Sequence, residues 1–448
     1  MSRYFRINNL FRFVFYLVAV LPIFIFRDFT PDNELRYLSI ADEALRNGSL
    51  FTFTNHGLIY ADKPPLYLWI VMIGKIIFGT HNMLFLGLFS IIPALVIVFV
   101  MDRWVMNVLS EKDRIVAQLM LLTSGFFIGT AIVLRMDMLM AMFIVLALYT
   151  FFRMYSGEGK PRDSMFFPVF VFMALFSKGP VGIIVPLVST VVFLFLKKDL
   201  KTIGHYWGWK SLILLISLSG FWFAGVYAEG GKEYLNNLLF NQTVNRAVNS
   251  FHHQEPFYFY LMTFWYSLAP WSLLVFGILF TGLKNRLVST DLERFFLVIA
   301  GSTFVILSLF SSKLAVYMLP TFPFLIYLPV LLFRKLNTPR WMYILVLIPA
   351  GILCLVLPGI LVAPHFLSIP GFSMTNLLML AAIILSSSGV TAIWLLAKHQ
   401  LKNGIIAMSS GMLIAVFVFS FGLPKYNGMI GLRELTFQAK KPQLNWAV

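Results

Sequence analysis

Carboxylates crowd the stretch that follows the first apolar run of the chain, residues 10–26. Asp28, Asp32, Glu34 and Asp42 all lie in this polar segment of an otherwise apolar sequence. A carboxylate can accept a proton from a hydroxyl group, or orient that group, in a general acid–base reaction. The segment therefore predicts either a reactive loop or only the solvated face of an amphipathic helix.

Cationic residues occur in several short segments between later apolar runs. They are Lys63 in YADKPPLYLW, Arg135 beside Asp137 in VLRMDMLM, Lys178 in LFSKGPVG, Arg246 with His252, His253 and Tyr258 in NRAVNSFHHQEPFYFY, and Lys313 in LFSSKLAVYMLP. Each alone has an ordinary interpretation, since a lysine at a helix end is usually an interfacial anchor and aromatic residues form interfacial belts. Together with the carboxylates, they predict a phosphate-binding site, because Lys and Arg are the usual phosphate ligands.

Composition indicates what must position these residues. Of the 448 residues 59% are hydrophobic and 12% are charged, and the mean hydropathy is +0.83. Soluble domains carry about 25% charged residues, and apolar runs of about 20 residues are typical of transmembrane helices. The sequence predicts an all-α, polytopic membrane protein. Its net charge of +16 does not indicate nucleic-acid binding, because basic residues gather in the cytoplasmic loops of membrane proteins.

The apolar runs predict thirteen transmembrane helices. They are 10–26, 83–101, 115–132, 136–152, 165–177, 180–196, 211–228, 257–281, 295–311, 315–333, 341–363, 375–397 and 404–423. The run 66–78 is too short to span and carries Lys75, so it predicts an interfacial or re-entrant helix. With the N-terminus inside, more than half of the Lys and Arg residues fall on the cytoplasmic side, as the positive-inside rule requires.

This topology assigns the candidate site residues to one face. The first outer loop is 27–82 and the second is 229–256, within one transmembrane domain over 1–424, and 425–448 form a short outer tail. The carboxylates and cations described above then all lie on the outer side. Charges in apolar surroundings are costly and tend to mark function.

Five of these segments resemble motifs of a known family in the order that the family has them. PDNELRYLSIADEAL resembles a first-loop motif with an Asp-Glu pair, an Arg-Tyr pair and an amphipathic helix, and YADKPPLYLW resembles an acidic-Lys-Pro-Pro segment. RMDMLMAMF, SKGPVGIIVPL and SSKLAVYMLPTFPFL resemble three later motifs. The chain is thus similar, over residues 10 to about 335, to the polyprenyl-phosphate-dependent glycosyltransferases of the GT-C class. Within that class it resembles lipid A 4-amino-4-deoxy-L-arabinose transferases and protein O-mannosyltransferases.

The resemblance implies a reaction and a site. A sugar would pass, with inversion, from a polyprenyl-phosphate donor to a lipid or protein acceptor on the outer face of a bacterial inner membrane. The implied roles are catalysis by Asp32 helped by Glu34 or Asp137, donor-phosphate binding by Lys63, Arg135, Lys178, Arg246 and Lys313, and substrate binding by Arg36, Tyr37, His252, His253 and Tyr258. No cofactor is predicted, and the outer carboxylates lack the spacing of metal ligands.

The first motif departs from the family pattern in one respect. The family has adjacent Asp and Glu, whereas Asn33 here separates Asp32 from Glu34. Alignment on Pro31 makes Asp32 the catalytic residue, while alignment on the Arg-Tyr pair puts Asn33 in its place. We favour Asp32, because the chemistry requires a carboxylate.

Two other functions fit parts of the pattern. A secondary transporter would place its charges near the bilayer midplane, between repeats with broken helices, and no repeat is visible here. An O-antigen polymerase or ligase also uses outer-face arginines. It depends, however, on a large outer loop late in the chain, and the topology predicted here has no such loop.

Overall fold

The computed structural model describes residues 2–240, 254–366 and 373–432, and these are almost entirely helical. The α-helices are Ser2–Phe26, Arg36–Asn47, Leu66–Phe78, Met83–Val105, Glu111–Leu122, Gly125–Ala131, Asp137–Tyr155, Asp163–Lys178, Val181–Leu196, Ile203–Tyr206, Trp209–Asn236, Phe259–Ser267, Ser272–Lys284, Asp291–Leu309, Phe322–Phe333, Arg340–Cys354, Val356–Val362, Asn376–Ala397, Leu401–Ser420 and Asn427–Ile430. Short 3₁₀ turns are Leu200–Thr202, Ala315–Thr321, Ala363–His365 and Leu423–Tyr426, and two short strands, Thr54–Asn55 and Leu58–Ile59, form an antiparallel hairpin. The predicted all-α class is confirmed.

The number of helices that are long and apolar enough to span a membrane is lower than the predicted number of spans. Eight helices among the described residues are long and apolar enough to cross a membrane, or up to ten if each of two bent pairs counts as one span. The predicted count of thirteen is therefore not confirmed. Most of the difference comes from predicted spans that fold as short or broken helices.

The predicted span 115–132 is broken into two helices, Glu111–Leu122 and Gly125–Ala131, which are bent by 69°. The side-chain hydroxyls of Thr123 and Ser124 donate to the carbonyls of the preceding turn, at 2.6 and 2.8 Å. Such back-bonding by Ser and Thr bends helices. Hydropathy does not register this bend, because Thr and Ser interrupt the apolar run only slightly.

The predicted span 257–281 is also broken, and its break packs on the first one. The carbonyl of Ala269 accepts a hydrogen bond from the Gly125 amide at 2.8 Å, and Trp271 Nε1 donates to the Thr123 hydroxyl at 2.9 Å. Backbone and hydroxyl groups freed by one break are thus satisfied by the other. Broken helices are tolerated at membrane depth when neighbouring segments provide such partners.

The helix Phe322–Phe333 lies at the centre of the bundle, since every one of its residues is buried. Trp104 packs edge-on against Phe296 and Phe324, with ring centroids 5.0 and 5.9 Å apart. By contrast, only 17% of the apolar stretch within residues 340–365 is buried against the rest of the protein. A helix that is apolar on all sides is therefore either central or faces lipid, and this chain has both kinds.

The first outer loop folds as the sequence predicts in two places. The amphipathic helix Arg36–Asn47 ends at Gly48, whose φ of 69° is left-handed and favours glycine. The apolar run 66–78 forms a helix of 13 residues, too short to span a membrane. The helical turn at Pro31–Leu35, in contrast, is of the wider π type.

The first residues of the predicted second outer loop, 229–236, instead continue the helix Trp209–Asn236, and this helix end binds the predicted first outer loop. The Glu229 carboxylate accepts hydrogen bonds from the amides of Leu50, Phe51 and Thr52, at 2.8 to 2.9 Å. Five residues later in the same helix, the Tyr234 hydroxyl donates a hydrogen bond to a carbonyl of the first loop at 2.7 Å. It also accepts a hydrogen bond from an amide of that loop at 3.1 Å. The end of this helix and the segment 50–60 of the predicted first outer loop are therefore held together as one structural unit.

Candidate active site

Glu34 is the most completely engaged carboxylate of the first outer loop. Its side chain is fully buried, and Arg27 binds both of its oxygens, at 2.7 and 2.9 Å. The amides of Thr30 and Leu134 donate to the same carboxylate at 2.7 and 2.8 Å. A carboxylate offers about four acceptor positions, so the protein itself occupies all the hydrogen-bonding capacity of Glu34.

Asp32 occupies the same helical turn but has opposite surroundings. The turn Pro31–Leu35 is a π-helix in which the Leu35 amide donates to the Thr30 carbonyl, five residues back, at 3.2 Å. Asp32 is exposed, and no described residue forms a hydrogen bond or ion pair with its carboxylate. Its oxygens are thus available to a substrate.

A buried charge cluster surrounds Asp137, which begins the helix Asp137–Tyr155. Arg135 Nε donates to Asp137 Oδ2 at 2.9 Å, and Lys178 Nζ contacts Oδ1. The side chain of Asp137 is 1% exposed, and Lys178 is also buried. Two cations facing one carboxylate leave the cluster with a surplus positive charge.

Arg135 is the exposed member of this cluster. Its side chain is 28% exposed, and no described residue accepts a hydrogen bond from its two terminal nitrogens. Burial lowers the pKa of Arg135, but the Asp137 carboxylate together with Tyr37 and Tyr317 outweighs that effect, so the pKa lies above its usual value. Arg135 is therefore a permanent cation whose two terminal amino groups can bind phosphate oxygens side by side.

Short contacts connect these elements into one site. The Glu34–Leu134 hydrogen bond joins the turn that carries Asp32 to the segment between the helices Gly125–Ala131 and Asp137–Tyr155, which carries Arg135. On the other side, Lys178 Nζ lies 4.5 Å from the ring centroid of Tyr317, a cation–π contact. The sequence-distant segments that hold Asp32, Arg135, Lys178 and Tyr317 thus meet at one end of the bundle.

Lys313 lies in the segment that leads to Tyr317. Its Nζ donates to the Glu255 carbonyl at 2.7 Å, and Gln254 and Ser312 form an antiparallel β-bridge. Burial lowers the pKa of Lys313, and the nearby Glu255 charge partly opposes that shift. Lys313, which the sequence predicts to bind the donor phosphate, is therefore held against the end of the segment 229–256.

The predicted substrate residues Arg36 and Tyr37 also border the cluster. Arg36 Nη2 donates to Asn33 Oδ1 at 2.8 Å. Tyr37 is buried, packs edge-on against Tyr67 with centroids 5.6 Å apart, and is within electrostatic reach of Asp137. The hydroxyl of Tyr67 is buried with no hydrogen-bond partner among the described residues.

The remaining predicted residues are less closely connected. Lys63 is half-buried just before the helix Leu66–Phe78. Tyr258 is 46% exposed, contacts the ring of Phe257, and has no described contact with the cluster. Arg246, His252 and His253 lie outside the described residues. Within the described part of the chain, no three His, Cys, Asp or Glu side chains converge as metal ligands do.

Sequence reasoning missed three residues that shape the site: Arg27, Tyr67 and Tyr317. Arg27 follows the first apolar run directly, where a cation is ordinarily an anchor, and its pairing with Glu34 requires the chain to turn back on itself. Tyr67 and Tyr317 are aromatic residues beside segments already identified by their lysines. Their proximity to Lys63 and Lys313 in sequence was the one available signal.

Comparisons with known proteins identify related transferases. Residues 62–222 match the dolichyl-phosphate-mannose-protein mannosyltransferase family, and this range contains Lys63, Arg135, Asp137 and Lys178. An undecaprenyl phosphate-alpha-4-amino-4-deoxy-L-arabinose arabinosyl transferase of Edwardsiella ictaluri is 26% identical over 316 residues, which cover 69% of this chain and 56% of that protein. An uncharacterised protein of Aquifex aeolicus is 29% identical over 300 residues, 65% of this chain and 57% of that one.

The fold comparison is broader than the sequence comparison. The crystal structure of ArnT from Cupriavidus metallidurans bound to undecaprenyl phosphate matches with a TM-score of 0.76 and 18% identity, over 99% of this chain and 82% of that chain. Its apo form matches with a TM-score of 0.74 and 20% identity, over 96% and 81%. The predicted resemblance is confirmed. The chain has the GT-C membrane fold, and it spans a little over half the length of the curated relatives named above.

Proposed function

We propose that this protein is an integral membrane glycosyltransferase that moves a sugar from a polyprenyl-phosphate donor to an acceptor. The observation that carries the proposal is the Glu34–Leu134 hydrogen bond of 2.8 Å. It links the turn that carries the exposed Asp32 to the segment that carries Arg135, the partly exposed cation of the charge cluster. An acceptor-activating base beside a phosphate-binding cation is what transfer from a lipid phosphate requires.

The donor phosphate would bind at the terminal nitrogens of Arg135, with Lys63 and Lys313 beside it. Arg246 keeps its predicted role as a further phosphate contact. These cations would stabilise the negative charge that develops on the phosphate as it leaves, which is where preorganised charges contribute most to catalysis. Lys178 neutralises Asp137 in this arrangement, so its role is to hold the cluster together.

Asp32 would accept the proton of an acceptor hydroxyl group. The acceptor oxygen then forms a bond to the anomeric carbon, while the bond from that carbon to the phosphate oxygen breaks and the lipid phosphate keeps the electron pair. A single displacement of this kind inverts the configuration at the anomeric carbon. Glu34 and Asp137 do not take part in proton transfer, because their oxygens are already bound by protein donors.

The relatives support a specific carrier and location. The matched transferase of Edwardsiella ictaluri is named for an undecaprenyl-phosphate donor, and the matched crystal structure contains undecaprenyl phosphate. We therefore infer undecaprenyl phosphate as the carrier lipid, and lipid A, another envelope glycolipid or a protein as the acceptor. The positive-inside rule supports a bacterial inner-membrane protein whose site faces the exterior.

Mass spectrometry of envelope lipids and glycoproteins tests this function. A strain that lacks the gene should lose one sugar modification, and the wild-type gene should restore it. Asp32→Asn should fail to restore it, whereas Asp42→Asn, a carboxylate of the same loop paired with His81 at 2.9 Å, should succeed. Full restoration by Asp32→Asn, or an unchanged envelope in the deletion strain, would contradict the proposal.

A further inference from the structure

At the membrane face opposite the candidate site, a cavity of about 240 Å³ opens between two helices. Its walls are the end of the helix Val181–Leu196 and the first turns of Asp291–Leu309. The lining residues are Phe193, Leu196, Lys197, Arg294, Leu297 and Val298. Four of the six are apolar, and the two polar ones are both cations.

The two cations share one carboxylate. Lys197 Nζ lies 2.9 Å from Asp291 Oδ1, and Arg294 Nη1 lies 3.8 Å from the same oxygen. The Tyr155 hydroxyl donates to the other oxygen of Asp291 at 3.2 Å. The site therefore has a net positive charge, and Arg294, with a side chain 49% exposed, is positioned to bind a further anion.

The apolar part of the cavity is open to the bilayer. Leu196 is 63% exposed although it belongs to an apolar helix, so it faces lipid. The exposed residues Lys198, Lys201 and Lys210 follow on the same side of the membrane and add to the positive potential. An apolar slot beneath a cationic mouth, at the level of the membrane surface, matches the shape and charge of a phospholipid.

We propose that this cavity binds an anionic phospholipid, with one acyl chain in the apolar slot and the phosphate group at Arg294 and Lys197. Basic pockets between transmembrane helices are suited to anionic head groups. General enrichment of basic residues in loops explains the number of cations on this face. It does not explain why two of them line a cavity whose other walls are apolar. The inference does not depend on the proposed glycosyl transfer.

Native mass spectrometry of the full-length chain, released from detergent after incubation with phosphatidylglycerol or phosphatidylethanolamine, tests this site. The wild type should retain phosphatidylglycerol in preference. Lys197→Gln combined with Arg294→Gln should reduce that retention about ten-fold, since each basic residue near the surface contributes measurably to anionic-lipid binding. Retention of phosphatidylethanolamine should not change.

The matched control is Arg103→Gln combined with Lys112→Gln, two exposed cations of the same face that line no described cavity. This control should keep the preference of the wild type. An equal loss in both double variants would show only diffuse attraction and would overturn the site, as would equal retention of the two lipids by the wild type. If the first double variant does not fold, Arg294→Gln alone serves, because its single ion pair is long and its side chain is half exposed.

Discussion

The π-helical turn Pro31–Leu35 and the distant segment that carries Arg135 and Asp137 hold three carboxylates in two contrasting environments. Glu34 and Asp137 are buried, and protein donors bind both oxygens of each. Asp32 is exposed and has no described partner. Only a carboxylate with free oxygens can receive a proton from a substrate, so the contrast separates one reactive candidate from two that organise the site.

The contrast also explains why buried charge is tolerated here. Each buried carboxylate is paired with a cation, as it must be, because an isolated buried charge is strongly unfavourable. The Lys178–Asp137 pair and the hydrogen bond from the Leu134 amide to Glu34 join segments that are distant in sequence. The buried pairs thus hold the site together, and the exposed Asp32 and the partly exposed Arg135 remain available to ligands.

The largest expected effect belongs to Asp32→Asn. The substitution preserves size and removes the negative charge, so transfer should fall about 10²- to 10⁴-fold, as expected for loss of a positioned general base. Thermal stability should not change, because no described residue pairs with the Asp32 carboxylate. Sugar transfer by the purified variant, with a melting curve as control, measures both. Near wild-type transfer would move the chemistry to another carboxylate.

Glu34→Gln should act mainly on stability. Breaking a buried ion pair by removing one partner costs about 3–5 kcal/mol, since Arg27 would remain buried without its counter-charge. A large fall in melting temperature is expected, measured in detergent without substrate. The double variant Arg27→Gln with Glu34→Gln should lose less stability than the two single variants lose together, because it leaves no unpaired buried charge. Full stability with lost transfer would instead make Glu34 the reactive group.

Sequence alone predicted the helical class, the outer-loop helices and the segments that carry the charges. Asp32, Arg135, Lys178 and Lys313 were identified because charges stand out against apolar runs. The pairing of Glu34 with Arg27 was not predictable, because it depends on how the chain folds back after the first helix. The breaks near Thr123 and Ala269 were missed because hydropathy registers neither the local back-bonding of Thr123 and Ser124 nor the hydrogen bonds that join the two breaks.

Arg135 and Lys178 should differ although both contact Asp137. Arg135→Gln removes terminal nitrogens that no described residue uses, so donor affinity should fall about 10- to 100-fold, the effect of one charge-assisted contact of about 1.5–3 kcal/mol. Lys178→Gln should mainly lower the melting temperature, because the cation is buried against Asp137. Binding of undecaprenyl phosphate to each purified variant, with melting curves, separates the effects. Equal donor affinity in Arg135→Gln and the wild type would remove Arg135 from the phosphate site.

The smallest expected effect is that of Asn33→Ala, and it decides between the two alignments of the first motif. The Asn33 side chain accepts one hydrogen bond from Arg36, at 2.8 Å. Loss of that bond should cost about 1 kcal/mol, hence about five-fold in transfer. A π-helical turn contains one more residue than an α-helical turn. The turn at Pro31–Leu35 can therefore accommodate Asn33 as an extra residue. Asp32 and the Arg36–Tyr37 pair can then both occupy the positions that the family motif gives them. If instead position 33 were the reactive centre, Asn33→Ala would be as damaging as Asp32→Asn, and Asn33→Asp would raise transfer. Transfer rates of these three variants under one set of conditions therefore test whether the π-turn preserves Asp32 as the reactive carboxylate.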